Sequence, residues 1–106
     1  MVTWVTTLTI SGREIEKELG VVRGNTVRAR NVGRDIMAML RTLVGGELPE
    51  YSALMAEARE QAVERMLQRA EELGADAVVN VRFSTSMIMQ STAEILAYGT
   101  AVKLKK

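Results

Sequence analysis

The closing third of the chain constrains its fold more than any other part. The stretch from Gly74 to Leu104 reads as a helix end followed by two long strands, and neither strand has a plainly solvent-facing side. In the first, Ala77, Val79, Val81, Phe83, Met87 and Met89 alternate with Asn80, Arg82, Ser84 and Ser86. In the second, Leu96, Tyr98, Val102 and Leu104 alternate with Ile95, Ala97, Gly99 and Ala101. A sheet that is apolar or small on both faces needs cover on both faces, and a chain of 106 residues has little material to supply it. Self-association is therefore the first expectation. If the hairpin turns on Gln90 and Ser91, Phe83 pairs with Tyr98 and Val79 with Val102, which gathers the large groups on one face and leaves small residues opposite Asn80 and Arg82.

Upstream, residues 2–10 form a threonine-threaded apolar run suited to a strand, followed by a turn at Ser11-Gly12-Arg13. Residues 15–30 have strand composition interrupted twice. Gly20 predicts a bulge, and Gly24-Asn25 predicts a hairpin turn because both residues tolerate positive φ. A first helix is expected from Asn31 as N-cap, with Ile36, Leu40, Leu43 and Val44 on one face and Gly45-Gly46 as its stop. A second opens at Pro49 and carries Leu54, Met55, Ala58, Ala62, Met66, Ala70 and Leu73 at helical spacing until Gly74 ends it. At ~1.5 Å per residue this helix is about 37 Å long, so it must cross a whole sheet or protrude. Its alanines permit close approach to a small-residue surface, and Ala97, Gly99 and Ala101 offer one.

The bulk composition places residues 1–106 in one globular domain: 47% of residues are apolar and 25% charged, as in ordinary soluble proteins. There is no Cys and no His, so thiolate and imidazole ligands, disulfides and Cys or His catalysis are all excluded. The missing cysteines and an N-terminal run without a basic stretch suit a cytoplasmic protein, and no segment is long and apolar enough for a membrane span. The net charge of +1 conceals a division, since residues 21–44 hold five arginines against Asp35 while residues 47–76 are strongly acidic. Segments of opposite sign attract within a fold or across identical subunits.

The best ligand candidates lie in the basic segment. Arg23, Asn25, Arg28, Arg30 and Arg34 combine guanidinium groups with an expected helix N-terminus, a pairing suited to phosphate or carboxylate; the competing role for these arginines is pairing with glutamates of the acidic helix. Thr85 and Ser86, in a hydroxyl-rich stretch near the hairpin tip, are a second candidate, able to line an opening if repeated around a ring. Met87 and Met89 place two thioethers on one strand face, where they serve as core filler more readily than as Cu(I) ligands. No catalytic spacing is recognisable, so an enzyme is not expected, nor any cofactor. Nucleic-acid binding is disfavoured because aromatics are only 4% of the chain and no groove-reading or stacking motif is present.

Several runs together resemble one known family. They are residues 20–31 (Gly-Val-Val-Arg-Gly-Asn-Thr-Val-Arg-Ala-Arg-Asn), Gly33-Arg34-Asp35-Ile36, Val44-Gly45-Gly46, Gly74-Ala75-Asp76-Ala77-Val78-Val79 and Tyr98-Gly99-Thr100-Ala101-Val102. In this order, over nearly the whole chain, they resemble the YbjQ family, small bacterial and archaeal proteins of unassigned role often labelled heavy-metal-binding. The resemblance implies an α+β subunit of dodecin-like kind: an antiparallel sheet with two helices on one face, assembled as a homopentameric ring or a pair of rings, with a metal ion or small anion as ligand. Where relatives carry acidic residues and a glycine after the Gly-Ala-Asp-Ala run, this chain has Asn80-Val81-Arg82-Phe83-Ser84. With no carboxylate there, no metal site is expected on that strand.

Overall fold

The computed structural model describes residues 2–29, 49–89 and 92–106. These form β1 (Thr3–Trp4), β2 (Ile15–Ala29), α1 (Pro49–Glu72), β3 (Ala77–Met89) and β4 (Thr92–Leu104). The strands make one sheet in the order β1-β3-β4-β2. β3 with β4 and β4 with β2 are antiparallel, but β1 runs parallel to β3, so the sheet is mixed where an antiparallel one was expected. The N-terminal strand is also shorter than the 2–10 run suggested. It follows β3 only as far as a bulge, where the Val81 amide donates to the Val5 carbonyl (3.0 Å) and the Asn80 amide to the Thr7 carbonyl (2.8 Å). The following residues then pass beneath the sheet to the turn around Gly12, whose φ is 78°. The helix expected to start at Asn31 lies outside the described residues.

Two cores form on opposite faces of this sheet. On one, the stripe Ala58, Ala62, Met66 and Ala70 of α1, spaced every four residues, packs on Val22, Val78, Val81, Ile95, Ala97 and Ala101. On the other, Val5, Ile10 and Ile15 cover Ala77, Val79, Val102 and Leu104. The two-faced apolar hairpin is thus partly satisfied by its own chain, which weakens the argument from composition that cover must come from another copy. α1 closes with an αL glycine: Gly74 (φ 78°) donates to the Glu71 carbonyl and Ala75 to the Ala70 carbonyl, the paired bonds that satisfy a helix end.

Gly24 does not turn a hairpin. β2 runs unbroken through it, opposite Ala97 of β4, because Gly24 lies where the helix and strand backbones come closest. A Cβ there would overlap the Ala62 carbonyl oxygen and the Met66 amide nitrogen and reach within 2.8 Å of Arg65 Cβ. The glycine is needed for space, not for its backbone angles. The expected bulge at Gly20 is present, with φ 126° and a register shift between Glu18 and Gly20.

The hairpin register differs from expectation by two bulges. Met89 pairs with Thr92, as a turn on residues 90 and 91 requires, but a shift between Met87 and Met89 and another between Val79 and Arg82 move the pairing stepwise. Phe83 therefore lies opposite Ala97, Arg82 opposite Tyr98 and Val79 opposite Thr100. The second bulge is built on Asn80, held at φ 55°, and faces Gly99, where a Cβ would come 2.8 Å from Val78 Cγ1 and 3.0 Å from the Val79 carbonyl oxygen. Gly99 thus makes room for the extra residue of β3, and Ala97 and Ala101 serve the helix.

The sheet is long for its mass. Strands of 13 to 15 residues give a molecule 55 × 23 × 19 Å with a radius of gyration of 17.3 Å, against about 13 Å for a compact domain of this size. α1 lies along β2 and β4 and barely reaches β3, so Phe83 and Met87 stay exposed on the helix side of the sheet, with Trp4 edge-on to Phe83 at 6.2 Å.

Three substitutions test this packing by urea denaturation. Gly24→Ala should cost about 3 kcal/mol, the upper end of overpacking, and an unchanged midpoint would contradict the close approach. Thr26, 3% exposed against the helix, has a hydroxyl without a hydrogen-bond partner, so Thr26→Val should stabilise by ~1 kcal/mol where an ordinary buried threonine would lose stability. Asn80→Val should be less stable than Asn80→Gly by about 1–3 kcal/mol, because a β-branched residue resists positive φ.

Candidate functional site

Of the residues singled out from the sequence, Arg23 and Asn25 lie on β2 with Val22, Gly24 and Thr26 turned toward α1 between and beside them. Alternation therefore turns Arg23 and Asn25 to the opposite face of the sheet. Asn25 is engaged there: its Nδ2 donates to Glu94 Oε2 at 3.2 Å, while its carbonyl accepts from Arg65 Nη1 at 2.6 Å. Arg65 of the acidic helix thus reaches the basic strand through the strand's backbone, with no carboxylate partner among the described residues. Arg28 pairs with Ala93 near the end of β2, whereas Arg30 and Arg34 lie outside the described residues. The expected cluster of all five groups is therefore represented by Arg23 and Asn25 alone.

Thr85 and Ser86 are consecutive on β3, opposite Ile95 and Glu94 and exposed. Consecutive strand residues face opposite ways, so only one of the two can line any given surface. Beside Arg23, a cleft of about 320 Å³ opens between β2 and the end of α1, lined also by Val21, Val22, Arg69, Glu72 and Leu73. Glu72 and the carbonyl end of the helix set negative charge against the two arginines, which makes this cleft a poor anion site.

The two bulges of β3 produce a grouping that sequence reading missed: the shift between Met87 and Met89 moves Arg82 opposite Tyr98, and the extra residue at Asn80 is taken up opposite Gly99. With Arg82 moved opposite Tyr98, and Tyr98 opposite Arg23 on its other side, the row Arg23, Tyr98 and Arg82 spans three strands. All three side chains lie on the face away from α1, because their neighbours Gly24, Ala97 and Val81 face the helix. Arg82 Nη1 donates to the Thr6 carbonyl at 2.7 Å and to the Val81 carbonyl at 2.8 Å. Among the described residues, no carboxylate lies within ion-pair distance of Arg23 or Arg82; the one described salt bridge joins Lys105 to Glu14 at 3.4 Å on the exposed far end. The signal that could have revealed the row was Asn80 itself, a residue that tolerates αL, opposite Gly99.

The thiolate and imidazole donors that heavy metals favour are absent from the chain. The chain has no Cys or His, and among the described residues no group of three acidic side chains converges. A bulge between Met87 and Met89 also interrupts the alternation on which a shared thioether face depends.

Comparison with known proteins matches the geometry to a family. The family model described as "Putative heavy-metal-binding", YbjQ, matches residues 2–105. A UPF0145 protein of Methanosarcina acetivorans is 63% identical over 93% of this chain and 93% of its own. One from Halorubrum lacusprofundi is 64% identical over 93% and 95%, and one from Thermosipho africanus 56% identical over 95% and 94%. Among solved structures, a protein of unknown function of the DUF74 family from Pediococcus pentosaceus superposes with a TM-score of 0.67 over 98% of both chains at 14% identity, a likeness of fold. None of these names an enzymatic activity. From its first strand to its last, the chain belongs to the YbjQ family, also named UPF0145.

Proposed function

We propose that this protein is a small homo-oligomeric binding or structural module of the cytoplasm, a ring of five subunits or a pair of such rings, and not an enzyme. The observation that carries this reading is the pair of sheet edges that have no further partner strand among the described residues. β2 is the outermost strand on one side, 15 residues long, and β3 is bordered by the N-terminal segment only as far as its bulge. Long open edges pair readily with further strands. Because the two edges differ, pairing one with the other between copies is heterologous, and such contacts form a ring where the rotation between copies closes and an open filament where it does not. Exposed apolar side chains lie close to both, Val21 (74% exposed) and Val27 on β2 and Phe83 and Met87 (68%) on β3. Among the described residues no helix is long and apolar enough to cross a membrane.

The alternative reading is an anion-binding sensor or enzyme whose site is built from the arginine segment, Arg23, Arg28, Arg30 and Arg34. It is favoured by one observation, that no described carboxylate lies within ion-pair distance of Arg23. The metal reading attached to the family name has no comparable support in this chain's donors.

Light scattering of the purified protein should give five or ten times the 11.7 kDa subunit mass at micromolar concentration, and a monomer there would contradict the ring. Met87→Lys, a charge on the exposed strand, should shift the mass toward smaller species without lowering subunit helicity; an unchanged mass would remove this strand from the contact. Elemental analysis after exposure to Zn²⁺ or Cu(I) and desalting should find well under one ion per chain, and stoichiometric retention would restore the metal reading.

A further inference from the structure

We propose that the row Arg23, Tyr98 and Arg82 binds a phosphate group, inorganic or carried by a small organic molecule. The three residues come from one chain and stand in direct register, Tyr98 opposite Arg23 on one side and opposite Arg82 on the other. Neighbouring strands lie about 4.8 Å apart, so the two arginines flank the phenol with their Cα atoms about 10 Å from each other, and both guanidinium groups can converge above it. Arg82 spends one nitrogen on the Thr6 and Val81 carbonyls, which fixes its position; its Nε and Nη2 have no partner among the described residues. Arg23 has no such tie and can move to meet a ligand.

The chemistry selects phosphate over carboxylate. Two guanidinium groups bring two positive charges, matching a phosphate of about −1.5 to −2 at neutral pH, whereas a carboxylate would neutralise only one. A tetrahedral anion also accepts hydrogen bonds from three directions, which two guanidinium groups and a phenolic O–H supply. Of the carboxylates on this face, Glu94 is held by Asn25 one strand step away, and neither it nor Glu18, farther along β2 opposite Val102, forms an ion pair with either arginine. The row deepens the anion reading of the arginine segment and rests on it through Arg23, but it replaces Arg28, Arg30 and Arg34 with Tyr98 and Arg82.

The test is calorimetric titration of the full chain with inorganic phosphate, phenyl phosphate and acetate. Either phosphate should bind at least tenfold more tightly than acetate, and tighter binding of phenyl phosphate would assign the site to a phosphate monoester. Arg23→Gln and Arg82→Gln should each weaken binding at least tenfold and Tyr98→Phe severalfold, while Arg59→Gln, an exposed arginine on the outer face of α1, should leave it unchanged. If Arg82→Gln fails to fold, Arg23→Gln and Tyr98→Phe still decide the matter, since neither side chain has a hydrogen bond or ion pair among the described residues. The combined variant R28Q/R30Q/R34Q separates the two anion readings. Retained phosphate binding in it supports the row, whereas its loss there with full retention in Arg82→Gln and Tyr98→Phe would overturn the row and leave the arginine segment standing. Equal binding of acetate and phosphate, or no binding of either phosphate, would overturn the proposal outright.

Discussion

The structure turns on one extra residue in β3. At Asn80, φ 55° lets two residues of β3 oppose the single Gly99 of β4, and the amides freed by the bulge bond to the N-terminal segment at Val5 and Thr7. Every side chain beyond this point has a different cross-strand partner from the one a regular ladder would give it. Phe83 moves opposite Ala97, on the helix side, where Trp4 meets it edge-on, and Arg82 moves opposite Tyr98, on the face away from the helix. This irregularity joins the N-terminus to the sheet and divides the apolar core between two faces, and together with the shift between Met87 and Met89 it sets two arginines either side of a tyrosine.

The close contact between α1 and β2 is the second constraint, and it shares the same logic. Backbone approaches backbone at Gly24, and the helix contributes alanines at four-residue spacing so that little side-chain bulk holds the layers apart. Close packing of this kind gains dispersion and excludes water, but it leaves no slack for an added carbon. Because α1 follows β2 and β4, the β3 edge of the sheet lies outside its cover. The exposed apolar groups, and the strand edges that lack a partner among the described residues, follow from that placement.

Much of this was legible in the sequence, for identifiable reasons. The long helix from Pro49 and its glycine stop follow from spacing and capping chemistry, both governed by residues near in sequence. Gly20 marked its bulge, and residues 90 and 91 fell between the last paired residues of the hairpin. The failures were all questions of what lies across a gap. Gly24-Asn25 has the composition of a turn, and only the helix packed above it shows that the glycine serves close approach. The register failed because alternation cannot count an extra residue: Asn80 fits the polar side of the pattern equally well with or without a bulge. For the candidate site the consequence was direct. Arg23 and Asn25 were identified as individual residues, but Tyr98 and Arg82 were assigned to the wrong neighbours, so the row they form could not be seen.

The most direct test of this account is the set of cross-strand nuclear Overhauser contacts between β3 and β4 in the isotopically labelled protein. The structure predicts backbone contacts of Arg82 with Tyr98 and of Phe83 with Ala97, with Val79 opposite Thr100. A regular ladder that placed Phe83 opposite Tyr98 and Val79 opposite Val102 would contradict the bulge, and with it the arrangement of both faces of the sheet.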